Sequence, residues 1–341
     1  MTNIWWWAGF NAVVLALLAV DLGVFHRRAH RVRVREAAAW SAVWVTLSLS
    51  FGAGVYIVLG RDKGLEFLTG YLIEYALSVD NIFVFVLIFS YFRIPAEYQH
   101  RVLFWGILGA LIFRGTMIAI GAALISRFHW ILYVFGAFLV YTGIRMAMQN
   151  RESTYDPEAN PTLRLVRRFF PVTTKYHGQK FFVREQRGAE SRLVATPLFV
   201  ALALVETTDI IFATDSIPAI FAVTRDPFIV YASNVCAVLG LRALYFLLAG
   251  IVDRFHYLQL GLSVVLVFIG GKMLIEELYA IPTMISLAVV AVVLASSVAA
   301  SLLWPRRHPP SIPPLAHIAS EHHEHHSGAG HASDDAGRPD R

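Results

Sequence analysis

Two stretches set carboxylates six residues apart inside otherwise apolar sequence: Glu74-Tyr-Ala-Leu-Ser78-Val-Asp80-Asn81, and Asp209-Ile-Ile-Phe-Ala-Thr-Asp215-Ser216. The second is preceded by Glu206, Thr207 and Thr208. Glu74, Asp80, Asp209 and Asp215 with Asn81 form a set of hard oxygen donors, and Ser78, Thr207, Thr208 and Ser216 add neutral oxygens. No His or Cys lies beside them, and oxygen-only ligation favours Mg²⁺, Ca²⁺ or Mn²⁺ over Zn²⁺ or Cu⁺. Pro218 cannot donate to the carbonyl of Thr214, so it frees one more backbone oxygen near Asp215.

The elements that must position these acids are membrane-spanning helices. The chain is 57% hydrophobic and 16% charged over 341 residues, with a mean hydropathy of +0.57. A soluble domain needs more charge than that to cover its surface. The apolar residues come in blocks long enough to cross roughly 30 Å of hydrocarbon as helices. About nine spans are expected, at 4–24, 38–59, 66–89, 102–125, 129–148, 197–222, 228–252, 256–275 and 282–304. The chain is therefore expected to be an all-α polytopic membrane protein.

Glu74 and Asp80 then fall about 5 Å either side of the middle of the third span, and Glu206, Asp209 and Asp215 fall comparably in the sixth. A charged residue near the bilayer centre costs roughly 2.5–3.5 kcal/mol on insertion scales. These five must face a polar interior and be offset by partners. Arg114 and Arg242, in the fourth and seventh spans, are the expected counter-charges. Five carboxylates against two guanidinium groups leave a formal −3, or −4 if Asp21 of the first span joins them. A dry interior holds such a surplus only with cations or protons. A cation site is the reading preferred over interhelical pairing alone. Acids six positions apart sit about 120° apart around a regular helix. They reach one cavity only if the helix is surrounded by protein or unwound locally.

The arrangement repeats. Arg127-Phe-His-Trp aligns with Arg254-Phe-His-Tyr, and at the same offset Gly143 meets Gly270, Arg145 meets Lys272 and Met146 meets Met273. The Glu74–Asp80 stretch matches Asp209–Asp215, and Arg114 matches Arg242 with a shift of one residue. Spans three to five thus resemble spans six to eight. Three helices per copy place the copies in opposite orientations, the inverted repeat of secondary transporters that bind substrate at the midplane. The expected layout is two N-terminal helices with a basic loop (1–65), a first repeat (66–148), a basic loop (149–196), a second repeat (197–275), a last helix (276–304) and a His-rich tail (305–341).

The loop at 26–35 and the loop at 149–196 are rich in Arg and Lys, so the positive-inside bias places both in the cytoplasm, with the N-terminus outside and the C-terminus inside. Met1–Trp7 lacks the basic n-region of a signal peptide. Cys236 is the single cysteine, so neither a disulfide framework nor a thiolate metal site is expected. The net charge of +5 resides largely in these loops and calls for no nucleic-acid partner. The loop at 149–196 could instead dock a cytoplasmic partner or anionic lipid through Arg164, Arg167 and Arg168. The tail holds Glu321-His-His-Glu-His-His326 in low-complexity sequence, so it is read either as a metal-binding segment or as a disordered one. No nucleophile–base arrangement or cofactor motif is evident, and an enzyme is not expected. An anion channel is disfavoured by the negative cavity.

On Asp21-Leu-Gly-Val-Phe-His, the Glu74–Phe85 stretch and the Glu206–Ala219 stretch, the chain resembles the TerC/Alx family of bacterial integral membrane proteins over nearly all of residues 1–305. The resemblance implies a place beside LysE-type exporters, which are built from two inverted three-helix repeats. It also implies association with Mn²⁺ export, with a pH-responsive manganese riboswitch and, by historical naming, with tellurium resistance. It carries over Glu74, Asp80, Asp209 and Asp215, with Asn81 beside them. The expectation is an inner-membrane exporter of a divalent cation, Mn²⁺ first, by proton exchange at these carboxylates. The alternative is a membrane component of a metal, pH or tellurium stress-response complex that moves no ion.

Overall fold

The structure is a computed structural model describing residues 4–20, 33–128, 130–148, 161–173, 175–187, 190–249, 255, 257–279 and 281–304. Asp21, His129, Arg254, His256, the first part of the 149–196 loop and the His-rich tail lie outside the described residues.

Each of the nine expected spans falls on a helix. These are α1 (Ile4–Val20), α2 (Val34–Leu59), α3 (Arg61–Tyr91), α4 (Ala96–Arg127), α5 (Ile131–Met148), α7 (Pro197–Phe221), α8 (Pro227–Leu248), α9 (Leu258–Ile275) and α10 (Thr283–Leu303). Among the described residues, eight helices are long and apolar enough to cross a membrane, and α1, at 17 described residues, is shorter. The chain is an all-α polytopic membrane protein. α3 and α4 begin five and six residues earlier than the hydropathy pattern suggests, because Arg61–Leu65 and Ala96–Arg101 continue the helices beyond the apolar blocks. The basic loop is more ordered than a connector. It contains a nine-residue helix, α6 (Pro161–Phe169), and an antiparallel hairpin of β1 (Phe182–Arg187) and β2 (Glu190–Ala195).

α8 is the central helix, with 18 of its 22 residues buried, and packs against α2, α3 and α4. A helix apolar around its whole circumference has this destination. The two expected three-helix units interlock in exchangeable pairs: α3 packs on α8 as α7 packs on α4, and α5 meets α7 as α9 meets α3. α5 and α9 run antiparallel at backbone contact. A Cβ built at Gly270 would stand 2.6 Å from the carbonyl oxygen of Gly136, and one at Gly143 would stand 2.8 Å from that of Ser263. Small residues permit this approach, and it gives membrane helices the van der Waals contact that lipid cannot supply. Gly70 similarly brings α3 onto α8, where an added Cβ would meet Ser233 Oγ at 2.8 Å.

Candidate functional site

α3 and α7 cross in the middle of the bundle, and both run unbroken through their acids. α7 continues helically past Pro218. Local unwinding is therefore not how Glu74 and Asp80 come to share a cavity. α3 is instead surrounded by protein, with α2, α7, α8, α9 and α10 packed around it. Glu74, Asp80 and Asn81 of α3 line one small cavity together with Asp215 and Ser216 of α7. Leu77, Phe212 and Met146 close it. Its volume of about 10 Å³ is near the lower limit for one water-sized occupant.

Arg114 governs the other half of the acid set. Its Nε and Nη2 donate to the two carboxylate oxygens of Asp209 at 2.9 and 2.7 Å, a two-pronged guanidinium–carboxylate pair. Its Nη1 donates to Glu74 Oε1 and, at 3.4 Å, to Asn234 Oδ1 of α8. All three charged groups are sealed: Arg114 is 1% exposed, Glu74 0% and Asp209 3%. One guanidinium thus ties α4 to α3 and α7 at once. Arg242, expected to share this role, is buried in α8, while the described hydrogen bonds of Glu74 and Asp209 run to Arg114.

The predicted donors therefore divide. Glu74, Asp80, Asn81, Asp215 and Ser216 come together at the cavity, whereas Asp209 is turned toward Arg114. Glu74 belongs to both groups. Its Oε1 accepts from Arg114, and its Oε2 is buried with no hydrogen-bond partner among the described residues. Ser216 Oγ, on the cavity wall, and Ser78 Oγ are buried in the same condition. Thr207 and Thr208 return their hydroxyls to the carbonyls of Ala203 and Leu204 at 2.8 and 2.7 Å. Glu206 backs onto α4 at Gly109, where an added Cβ would stand 2.0 Å from Oε1. Among the described residues, no group of three or more His, Cys, Asp and Glu side chains stands close enough to hold a metal ion.

Sequence reasoning missed three contributors. Asn234 is wholly buried beside Arg114, and α5 supplies Thr142 and Arg145, which face Asp215 as hydrogen-bond donor and nearby positive charge. Arg145 stood out in sequence as the counterpart of Lys272, but nothing in one dimension shows which acid it faces.

The model of the integral membrane protein TerC family matches residues 59–309, which include every acid described above except those outside the described residues. The chain belongs to the TerC family. An uncharacterized membrane protein of Myxococcus xanthus is 56% identical over 305 residues, covering 89% of this chain and 94% of its own. A protein of Escherichia coli K12 named Alx, described as a candidate membrane-bound redox modulator, is 52% identical over 293 residues, covering 83% and 90%. A membrane protein of Rickettsia bellii is 42% identical over 297 residues, covering 87% and 97%. No solved structure matches this TerC-family chain.

Proposed function

We propose that the protein moves a divalent cation, Mn²⁺ first among candidates, across the bilayer through the cavity between α3, α5 and α7, in exchange for protons. One observation carries the reading: Glu74 Oε2 is fully buried and lacks a hydrogen-bond partner among the described residues, on the wall of a cavity that also holds Asp80 and Asp215. An orphaned carboxylate oxygen on a residue that lines a cavity with two further acids is satisfied by a cation or a proton. The neighbouring oxygens of Asn81 and Ser216 suit a hard ion. Arg114 takes the place of a cation on Glu74 Oε1 and Asp209, so ligation by the full expected set requires the guanidinium to change partners. The exchangeable helix contacts support an inverted repeat around the site, with the basic loops in the cytoplasm of a bacterial inner membrane.

The test is manganese efflux from loaded vesicles or cells, normalised to protein in the membrane. The Asp80→Asn, Asp215→Asn variant keeps side-chain size and removes charge. It is expected to insert normally and lose efflux by at least about tenfold, since charge-assisted ligation is what it lacks. Full efflux by the double variant would sink the cation-site reading.

The Alx relatives are described as candidate membrane-bound redox modulators, a description that names no transport, and the second reading is a stress-linked membrane component that moves no ion. A chain with the single cysteine Cys236 forms no internal disulfide, so dithiol–disulfide exchange within one chain is not the route of such a role. Wild-type protein that moves no manganese in either direction, yet restores stress tolerance to a deletion strain, would decide for it.

A further inference from the structure

A large excess of positive charge lies away from the acids. Residues 161–195 carry eight Lys and Arg against Glu185 and Glu190, a net of +6, exceeding the +5 of the whole chain. This charge is mounted on a platform fixed to the ends of the spans. α6 buries Leu163 and Val166 and packs on α7. In the hairpin, the Phe182 ring stands 4.4 Å from that of Phe199 in the first turn of α7 and 5.5 Å from that of Phe170. On the other side, Arg101 of α4 lies 5.1 Å from the Phe181 ring centroid, and the Tyr176 hydroxyl donates to the carbonyl of Phe92 in the α3–α4 turn. Burial pushes the Tyr176 phenol up to about 12.

The platform turns cations and apolar groups outward together. Arg168, Lys175, Lys180 and Arg184 are exposed, Leu165 follows Arg164 on the outer side of α6, and Leu193 pairs with Arg184 across the hairpin. Leu165 and Leu193 are 55% and 50% exposed. Leucines among arginines at the end of a transmembrane helix match the boundary between headgroups and acyl chains, where the cation meets phosphate and the leucine meets hydrocarbon.

We propose that α6 and the hairpin form a binding surface for anionic phospholipid headgroups. An acidic protein would also satisfy the charge. It would not explain why apolar side chains are interspersed at the depth where the spans begin, nor why the module is anchored on two separate helices there. A surface already held in place loses little freedom on binding, so lipids are selected by charge rather than by folding of the loop.

Native mass spectrometry of the full-length protein tests this in neutral detergent, with equimolar phosphatidylglycerol and phosphatidylcholine of identical acyl chains. Wild type is expected to retain phosphatidylglycerol at least about tenfold over phosphatidylcholine, given the strength of basic clusters near anionic surfaces. The preference should shrink in 0.5 M salt, where screening acts over only a few ångströms. The Arg168→Gln, Lys175→Gln, Lys180→Gln, Arg184→Gln variant should fall to within about twofold of no preference. Equal retention of both lipids by wild type, or an unchanged preference in a variant of wild-type melting temperature, would overturn the proposal. Hydrogen exchange in nanodiscs requires no variant. Residues 161–195 should exchange more slowly in phosphatidylglycerol discs than in phosphatidylcholine discs, and identical exchange refutes the surface.

Discussion

Arg114→Gln is the most informative single change, because one guanidinium satisfies four oxygen acceptors on three helices. Its removal leaves Glu74 and Asp209 facing each other across a space with almost no solvent exposure, 0% and 3% respectively. Breaking a buried ion network by deleting one partner costs on the order of 3–5 kcal/mol, since the remaining charges are uncompensated. Removing every charge of the network costs far less, because no ion then needs hydration. The expectation is thus a non-additive series. Arg114→Gln loses about 3–5 kcal/mol, Arg114→Lys loses less, and the Arg114→Gln, Glu74→Gln, Asp209→Asn triple variant recovers most of the loss. Unfolding of purified protein in mixed micelles, with chelator present, reads this directly. Millimolar Mn²⁺ should restore the Arg114→Gln variant more than wild type, because a cation then replaces the missing charge. Wild-type stability of Arg114→Gln, or a triple variant worse than the single one, would show that the network is not what balances these acids.

Gly270→Ala should destabilise by about 1–3 kcal/mol as an overpacked interface, since its Cβ would stand 2.6 Å from a backbone oxygen of α5. Gly271→Ala, whose Cβ meets nothing within 4 Å, should melt like wild type; equal effects at both would discredit the close approach of α5 and α9. Reporter fusions within 161–195 and after Pro305 should give cytoplasmic signals, and a periplasmic signal from either would remove the proposed orientation. A chain ending at Trp304 should insert and export manganese at a wild-type rate. Complete loss of efflux in that stably inserted truncation would make the His-rich tail part of the transport machinery.

The membrane class was legible because it rests on residue type alone, and so was the need of the buried acids for compensation. Runs of apolar residues leave few options in a bilayer, and carboxylates within such runs need compensation wherever they point. The pairing of Arg114 with carboxylates followed from the same charge argument. Which carboxylates it chose depends on helix rotation, to which composition is blind. Asn234 shows the limit: an asparagine in an apolar span has no sequence signal that separates a ligand of Arg114 from a satisfied core amide. Thr142 and Arg145 reach Asp215 only because α5 crosses α7, a contact between segments 70 residues apart at Arg145 and Asp215. The module at 161–195 did leave signals. Leu163 and Val166 are spaced for one helix face among arginines, and Gly188 separates two strand-length segments. The density of positive charge masked them as an orienting loop.

That α3 is one uninterrupted rod of 31 residues has a mechanical consequence. At 1.5 Å per residue it is about 46 Å long, with Glu74 and Asp80 close to its middle. A turn of about 10° around that middle would shift each end by roughly 4 Å while the acids move little. The ends of α3 carry polar contacts to neighbouring turns. Glu66 accepts from Lys63 and from Thr224 of the α7–α8 turn at one end, and the Phe92 carbonyl takes the Tyr176 hydroxyl at the other. The carboxylates sit near the fulcrum of this rod, so a rocking of α3 would displace its two ends far more than Glu74 and Asp80.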